Sequence, residues 1–187
     1  MIGLIQKVLM DLVFREGGDS AVEAILGEAG LPPDHRFRMD SDYDDSQCLR
    51  LIEATATYFK LDEASLNRLY ADAFVRESRL RFPTFYQLAP NARDFLRRQP
   101  AIHGGLATAL QDAEARSRVV DKFDLSEDGS DLVVDYVSPN RLCGLYHALF
   151  ERILDEYGET GDLSVEKCRK RGDDCCRFRL SFETADD

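Results

Sequence analysis

The sequence predicts an α+β fold, with an N-terminal helical lobe packed on a C-terminal lobe of helices and a roughly four-stranded antiparallel sheet. Three observations carry this. Apolar residues recur at three- and four-residue spacing through the first part of the 187 residues, they alternate with polar ones towards the end, and the pair Asp128-Gly129 separates two of the alternating runs. The order of helices followed by β-β-α-β-β suits an antiparallel sheet with one face covered. No internal repeat or long linker interrupts it. Residues 1–187 therefore read as one domain, its helical lobe spanning about 1–62 and its second lobe about 63–184.

The elements follow in order. Ile2, Ile5, Leu9, Leu12 and Val13 keep helical spacing until Gly17-Gly18, where a stop is expected. Asp19-Ser20 then caps a second helix carrying Val22, Ile25 and Leu26, with Gly30 as its stop. Pro32-Pro33 opens a loop to about Asp42. Asp44, with Gln47 three residues on, has the form of a capping box for a helix through Cys48, Leu51, Ile52, Ala56 and Phe59. Asp62 caps the next, with Leu66, Leu69, Tyr70, Ala73 and Phe74. An aromatic loop is expected from Phe82-Pro83 to Pro90. The helical segment from Phe95 to Leu110 is broken at Pro100, so that His103 starts a fresh stretch. Val120, Phe123 and Leu125 read as a strand, Leu132–Ser138 as its hairpin partner, and Leu145–Tyr157 as an amphipathic helix ended by Gly158. Leu163–Lys170 and Cys176–Glu183 complete the sheet around Gly172-Asp173.

A net charge of −11 argues against nucleic acid, whose binding needs clustered Lys and Arg. No apolar run approaches the ~20 residues of a membrane span, and no basic-then-apolar leader opens the chain. A cytoplasmic protein with five reduced cysteines is the expectation. Glycine-rich phosphate loops, GxSxG elbows and HExxH helices are absent, so an enzyme is not expected.

Three constellations remain. His103 sits among Phe95, Leu96, Ile102 and Leu106, where an imidazole is either a satisfied core residue or an axial ligand to haem iron. Tyr136-Val137-Ser138-Pro139-Asn140-Arg141 presents a phenol, a hydroxyl, an amide and a guanidinium, which suit either a capped turn or a grip on ligand carboxylates. Cys143, Cys168, Cys175 and Cys176 suit tetrahedral Zn2+, inert burial or redox chemistry, and Cys175 and Cys176 point to opposite faces once a strand has begun.

Taken in this order, the constellations resemble the haem nitric oxide/oxygen-binding (H-NOX) family in its stand-alone bacterial form, over nearly the whole chain. The resemblance is carried by Met1-Ile2-Gly3-Leu4-Ile5, Phe95-Leu96 with His103, Tyr136-Val137-Ser138, Leu163-Ser164-Val165-Glu166 and the last hairpin. It implies haem b between the lobes, with His103 as axial iron ligand and Tyr136 and Ser138 on the propionates. The motif's Arg position is Asn140 here, so Arg141, one place later, is the expected third contact.

The resemblance further implies a distal face of Ile5, Phe74 and Leu145. Leu145 occupies the place where O2-binding members carry a tyrosine, with Tyr146 adjacent. The expectation is therefore a sensor of NO, and of CO alongside it, that excludes O2 and signals by weakening or breaking the iron–His103 bond. Its expected partner is a separate histidine kinase or a diguanylate cyclase/phosphodiesterase, since no effector domain follows residue 187. A zinc-bearing branch implies Cys143, Cys168 and Cys176 as ligands, with Cys175 standing in for the His that is Val165 here. The last hairpin also resembles 4-vinyl-reductase-type domains, which leaves a haem-free small-molecule module as one alternative and a zinc/thiol redox sensor as another.

Overall fold

The computed structural model describes residues 2–138 and 140–183. Met1 of the opening motif, Pro139 of the turn and Thr184 at the expected end of the second lobe lie outside the described residues. Helix α1 (Leu4–Glu28) carries the expected break as a kink, because Gly18 adopts φ 68°, a left-handed conformation that glycine enters without steric cost. Gly17 beside it lies against Phe59, and a Cβ there would approach the phenyl ring to 3.1 Å. Helix α2 (Asp45–Phe59) is capped by Asp44, whose carboxylate accepts the Gln47 N–H at 3.1 Å. Asp62 does the same for α3 (Glu63–Arg81), accepting from Ser65 N–H at 2.7 Å.

Between residues 82 and 120 the structure departs from expectation. The aromatic loop contains a short helix, α4 (Pro83–Gln87), because proline in a first turn loses no hydrogen bond and has its φ already set. For the same reason Pro100 starts α6 (Gln99–Ala107) instead of breaking it. The interruption falls at Arg98, after α5 (Ala92–Arg97). His103 consequently lies mid-helix, not at a helix start. Helix α7 (Ala113–Val120) replaces the first part of the expected strand, because Asp112 accepts the Ala115 N–H at 2.7 Å and caps it, so Val120 is helical.

Strand β1 (Phe123–Asp128) pairs with β2 (Asp131–Tyr136) in the register Asp128↔Asp131, which leaves Gly129-Ser130 as the two-residue turn, one place beyond the expected pair. Gly129 is at φ 63°, as such turns require. Helix α8 (Cys143–Tyr157) begins two residues early and ends at Gly158 in the left-handed region. Strand β3 (Gly161–Lys167) gives way to a single 3-10 turn over Arg169–Arg171, closed by the Arg171 N–H onto the Cys168 carbonyl, before β4 (Cys176–Phe182). The sheet is antiparallel throughout, in the order β1-β2-β4-β3.

Two apolar clusters result. One joins α1 and α2 with Tyr70 and Ala73 of α3, Ala107, Val119 and Leu145. The other lays Tyr146, Phe150, Ile153 and Leu154 of α8 on Leu132, Val134, Phe178 and Leu180 of the sheet. Phe150, Phe178, Leu132 and Leu180 are fully buried, and each such side chain contributes roughly 1.5–3 kcal/mol of burial. Helices α3 and α8 contribute to both clusters, so the space between the clusters is framed by these two helices. Among the described residues no helix is long and apolar enough to cross a membrane.

Candidate functional site

A cavity of about 190 Å³ occupies that space. Ile5 of α1, Phe74 of α3 and Leu145 of α8 line it from the helical cluster, and none of the three carries a polar side chain. Tyr70 adds a hydroxyl to this side, which donates to the Ile5 carbonyl at 3.1 Å. From α6 and the sheet come His103, Phe123, Tyr136 and Tyr146, linked by ring contacts of 4.7 Å (His103–Phe123), 5.1 Å (Phe123–Tyr136) and 5.8 Å (Phe123–Tyr146).

His103 makes no hydrogen bond among the described residues. Burial, and secondarily the charge of Lys122, lower its pKa to about 4, so at neutral pH its imidazole is uncharged and keeps a nitrogen lone pair to offer. A neutral imidazole without a partner, in the wall of an aromatic cavity, has the chemistry that a haem iron needs from a protein.

The turn after β2 is held by its own polar groups. Burial pushes Tyr136 up to about 12 against the opposing influence of the Ser138 hydroxyl beside it. Ser138 is fully buried and its Oγ accepts the Asn140 N–H at 3.3 Å. Asn140, at the place of the family's arginine, spends its amide on Asp45 Oδ2 at 2.8 Å, tying the turn to the start of α2. Arg141 stands at φ 53° with its side chain exposed and does not line the cavity. Leu145 and Tyr146 diverge: Leu145 joins the helical cluster, whereas Tyr146 stacks on Phe178 at 4.5 Å and donates to Gln99 Oε1 at 3.2 Å.

Three cysteines converge at the start of α8 and the last hairpin. The Sγ atoms of Cys143, Cys168 and Cys176 lie within 4.8 Å of one another, with Cys143 and Cys168 3.8 Å apart. Burial and the neighbouring Cys168 push Cys143 up to about 11. At Cys168 burial is outweighed by the N–H groups of Lys170 and Arg171 and by Cys143, which hold its thiol below the usual value. The Cys176 sulfur accepts the Arg169 N–H at 3.3 Å. Clustered thiols met by N–H donors fit a metal site. Cys175 is not brought to it. Its thiol turns to Asp135 Oδ1 at 3.7 Å, because neighbouring residues at a strand start project to opposite faces.

The cavity also has polar lining residues that the sequence does not single out as site residues, Tyr70, Ser78, Tyr86, Gln99 and Lys122 among them. Tyr70 sits at a helical core position and gives no separate signal. Gln99 and Lys122 are polar residues next to apolar runs, and only their spacing from His103 and Phe123 hints at a shared site.

A family model described as haem-NO-binding matches residues 2–165. Among solved structures, the chain is similar to an H-NOX protein from S. oneidensis in the Fe(II)NO ligation state, at 16% identity, 98% of this chain, 100% of that chain and a TM-score of 0.81. An oxygen-binding H-NOX domain related to soluble guanylate cyclases, in its oxygen complex, matches at 15% identity over 98% of this chain and 96% of that chain, with a TM-score of 0.77. An Fe(II) unliganded H-NOX protein from K. algicida matches at 18% identity over 98% and 97%, with a TM-score of 0.75. No curated protein matches by sequence.

Proposed function

This chain belongs to the haem-NO-binding family of haem-based gas sensor domains, and from that premise we propose that it senses NO, excludes O2, and reports to a separate effector protein through a weakened iron–His103 bond. The observation that carries the reading is His103 itself, an uncharged imidazole with no hydrogen bond among the described residues, set in the cavity wall. Haem supplies a position for a diatomic gas, at which O2 depends on a hydrogen-bond donor from the protein and NO does not.

The residues supply the rest. Ile5, Phe74 and Leu145 offer no donor, and the Tyr70 hydroxyl is already spent on the Ile5 carbonyl. Tyr136 lines the cavity and Ser138 is buried beside it, outside the cavity wall, and in this reading their hydroxyls meet the propionates, Ser138 once the turn opens towards them. His103 lies on α6, which runs through Gly104-Gly105 towards α7 and β1, so a change in the hold on His103 has a compliant helix to act on. The effector would be a histidine kinase or a diguanylate cyclase/phosphodiesterase. Zn2+ is the metal best suited to Cys143, Cys168 and Cys176.

The test is an absorption spectrum of the protein expressed with haem supply. A ferrous Soret band that shifts with NO and not with air is expected. A colourless protein would favour the haem-free small-molecule module.

A further inference from the structure

Lys122 is a half-buried cation in the wall of an aromatic cavity. It stands between α7 and β1, and its carbonyl accepts the Val137 N–H at 2.9 Å, which sets it directly across the sheet from the Tyr136–Ser138 segment. Its side chain lines the cavity that His103 and Tyr136 also line. Among the described residues its ammonium group makes no hydrogen bond and no ion pair. Asp45 and the Cys48 thiol of α2, Asp42 before it and Arg118 of α7 act on it only through longer-range charge, and burial lowers its pKa. A half-buried lysine without an ion pair carries part of the cost of desolvating a charge, and a carboxylate ligand relieves that cost.

The groups expected to meet haem carboxylates lack a cation. Asn140 is committed to Asp45, and Arg141 is exposed outside the cavity wall. Tyr136 and Ser138 contribute hydroxyls alone. We propose that Lys122 supplies the missing positive charge and pairs through its ammonium group with a haem propionate beside Tyr136 and Ser138, a reading that rests on haem being what this cavity binds. Lysine serves here as a point charge on a flexible stem, where the family's arginine would offer a planar fork.

The experiment measures the rate at which haem leaves the reconstituted protein for an excess of apomyoglobin, in wild type, Lys122→Met and Lys122→Arg. Methionine keeps an apolar stem against the cavity wall and removes the charge. Haem loss is expected to quicken by about tenfold or more in Lys122→Met, as for loss of a charge-assisted hydrogen bond, and to stay near wild type in Lys122→Arg. Reconstitution with haem dimethyl ester, whose carboxylates are blocked, is expected to erase the difference between wild type and Lys122→Met. Equal rates with haem b would overturn the proposal, and so would a Lys122→Met effect that persists with the ester, which marks a packing role. Faster loss in Arg141→Met beside an unchanged Lys122→Met would overturn it in favour of the arginine. Failure of the wild type to take up haem would overturn both this proposal and the sensor reading, and is told apart because it precedes any variant.

Discussion

The Tyr146 hydroxyl donates to Gln99 Oε1 across 3.2 Å, and Gln99 lies four residues ahead of His103 on α6. The tyrosine next to Leu145, the proposed gas-selecting position, is therefore engaged with the helix that carries the proposed iron ligand. Its ring is stacked on Phe178 of the sheet. Tyr146→Phe is expected to cost about 1–2 kcal/mol in urea unfolding, because Gln99 Oε1 loses its buried donor. The ferrous spectrum in air should not change. Loss of an O2-dependent band in this variant would place the hydroxyl on the gas side after all.

Leu145 meets the helical cluster and the cavity together. Leu145→Tyr introduces a hydroxyl on that side, at an overpacking cost of about 1–3 kcal/mol. The expected result is a ferrous protein whose spectrum now shifts on exposure to air. A variant that folds, binds haem and still ignores O2 would show that another group sets the selectivity.

His103→Ala removes the imidazole and leaves the aromatic wall intact. Haem uptake followed by absorption titration is expected to fall to non-specific levels, and His103→Gly supplemented with free imidazole is expected to regain a ferrous band. Uptake unchanged in the alanine variant would falsify the assignment of His103 as the ligand.

At the cysteine cluster, Cys168→Ser and Cys176→Ser are each expected to lower bound zinc well below one equivalent in a metal assay. Cys175→Ser is expected to retain it, since the Cys175 thiol turns to Asp135. Zinc loss confined to Cys175→Ser would reverse that division.

Gly104 and Gly105 follow His103 within α6. A Cβ at Gly104 meets nothing within 4 Å, and one at Gly105 meets only Phe85 at 3.7 Å. Each Gly→Ala change should therefore stabilise the protein by about 0.5–1 kcal/mol in denaturant unfolding, through helix propensity alone. Alanine at both positions should also stiffen α6, and a weakened response of the effector to NO is the expected functional cost. Destabilisation in either single variant would indicate that the glycine serves a conformation other than this helix.

The sequence by itself determined the class of fold, the β-β-α-β-β order, the Asp44 and Asp62 caps and the stop at Gly158. Each of these depends on a few adjacent residues and on the 3.6- or 2-residue period they share. It also put His103, Tyr136 and Ser138 on one short list through a motif. It did not reveal α7, whose cap at Asp112 is as local as the others but lies where the apolar period changes. Only the tertiary structure decided that Leu145 faces the helices while Tyr146 faces the sheet, since neighbours on a helix point about 100° apart and packing chooses which lobe each one meets. It likewise turned Cys175 away from its three counterparts and brought Lys122 into the cavity. Burial and convergence are properties of distant segments meeting, and no local pattern encodes them.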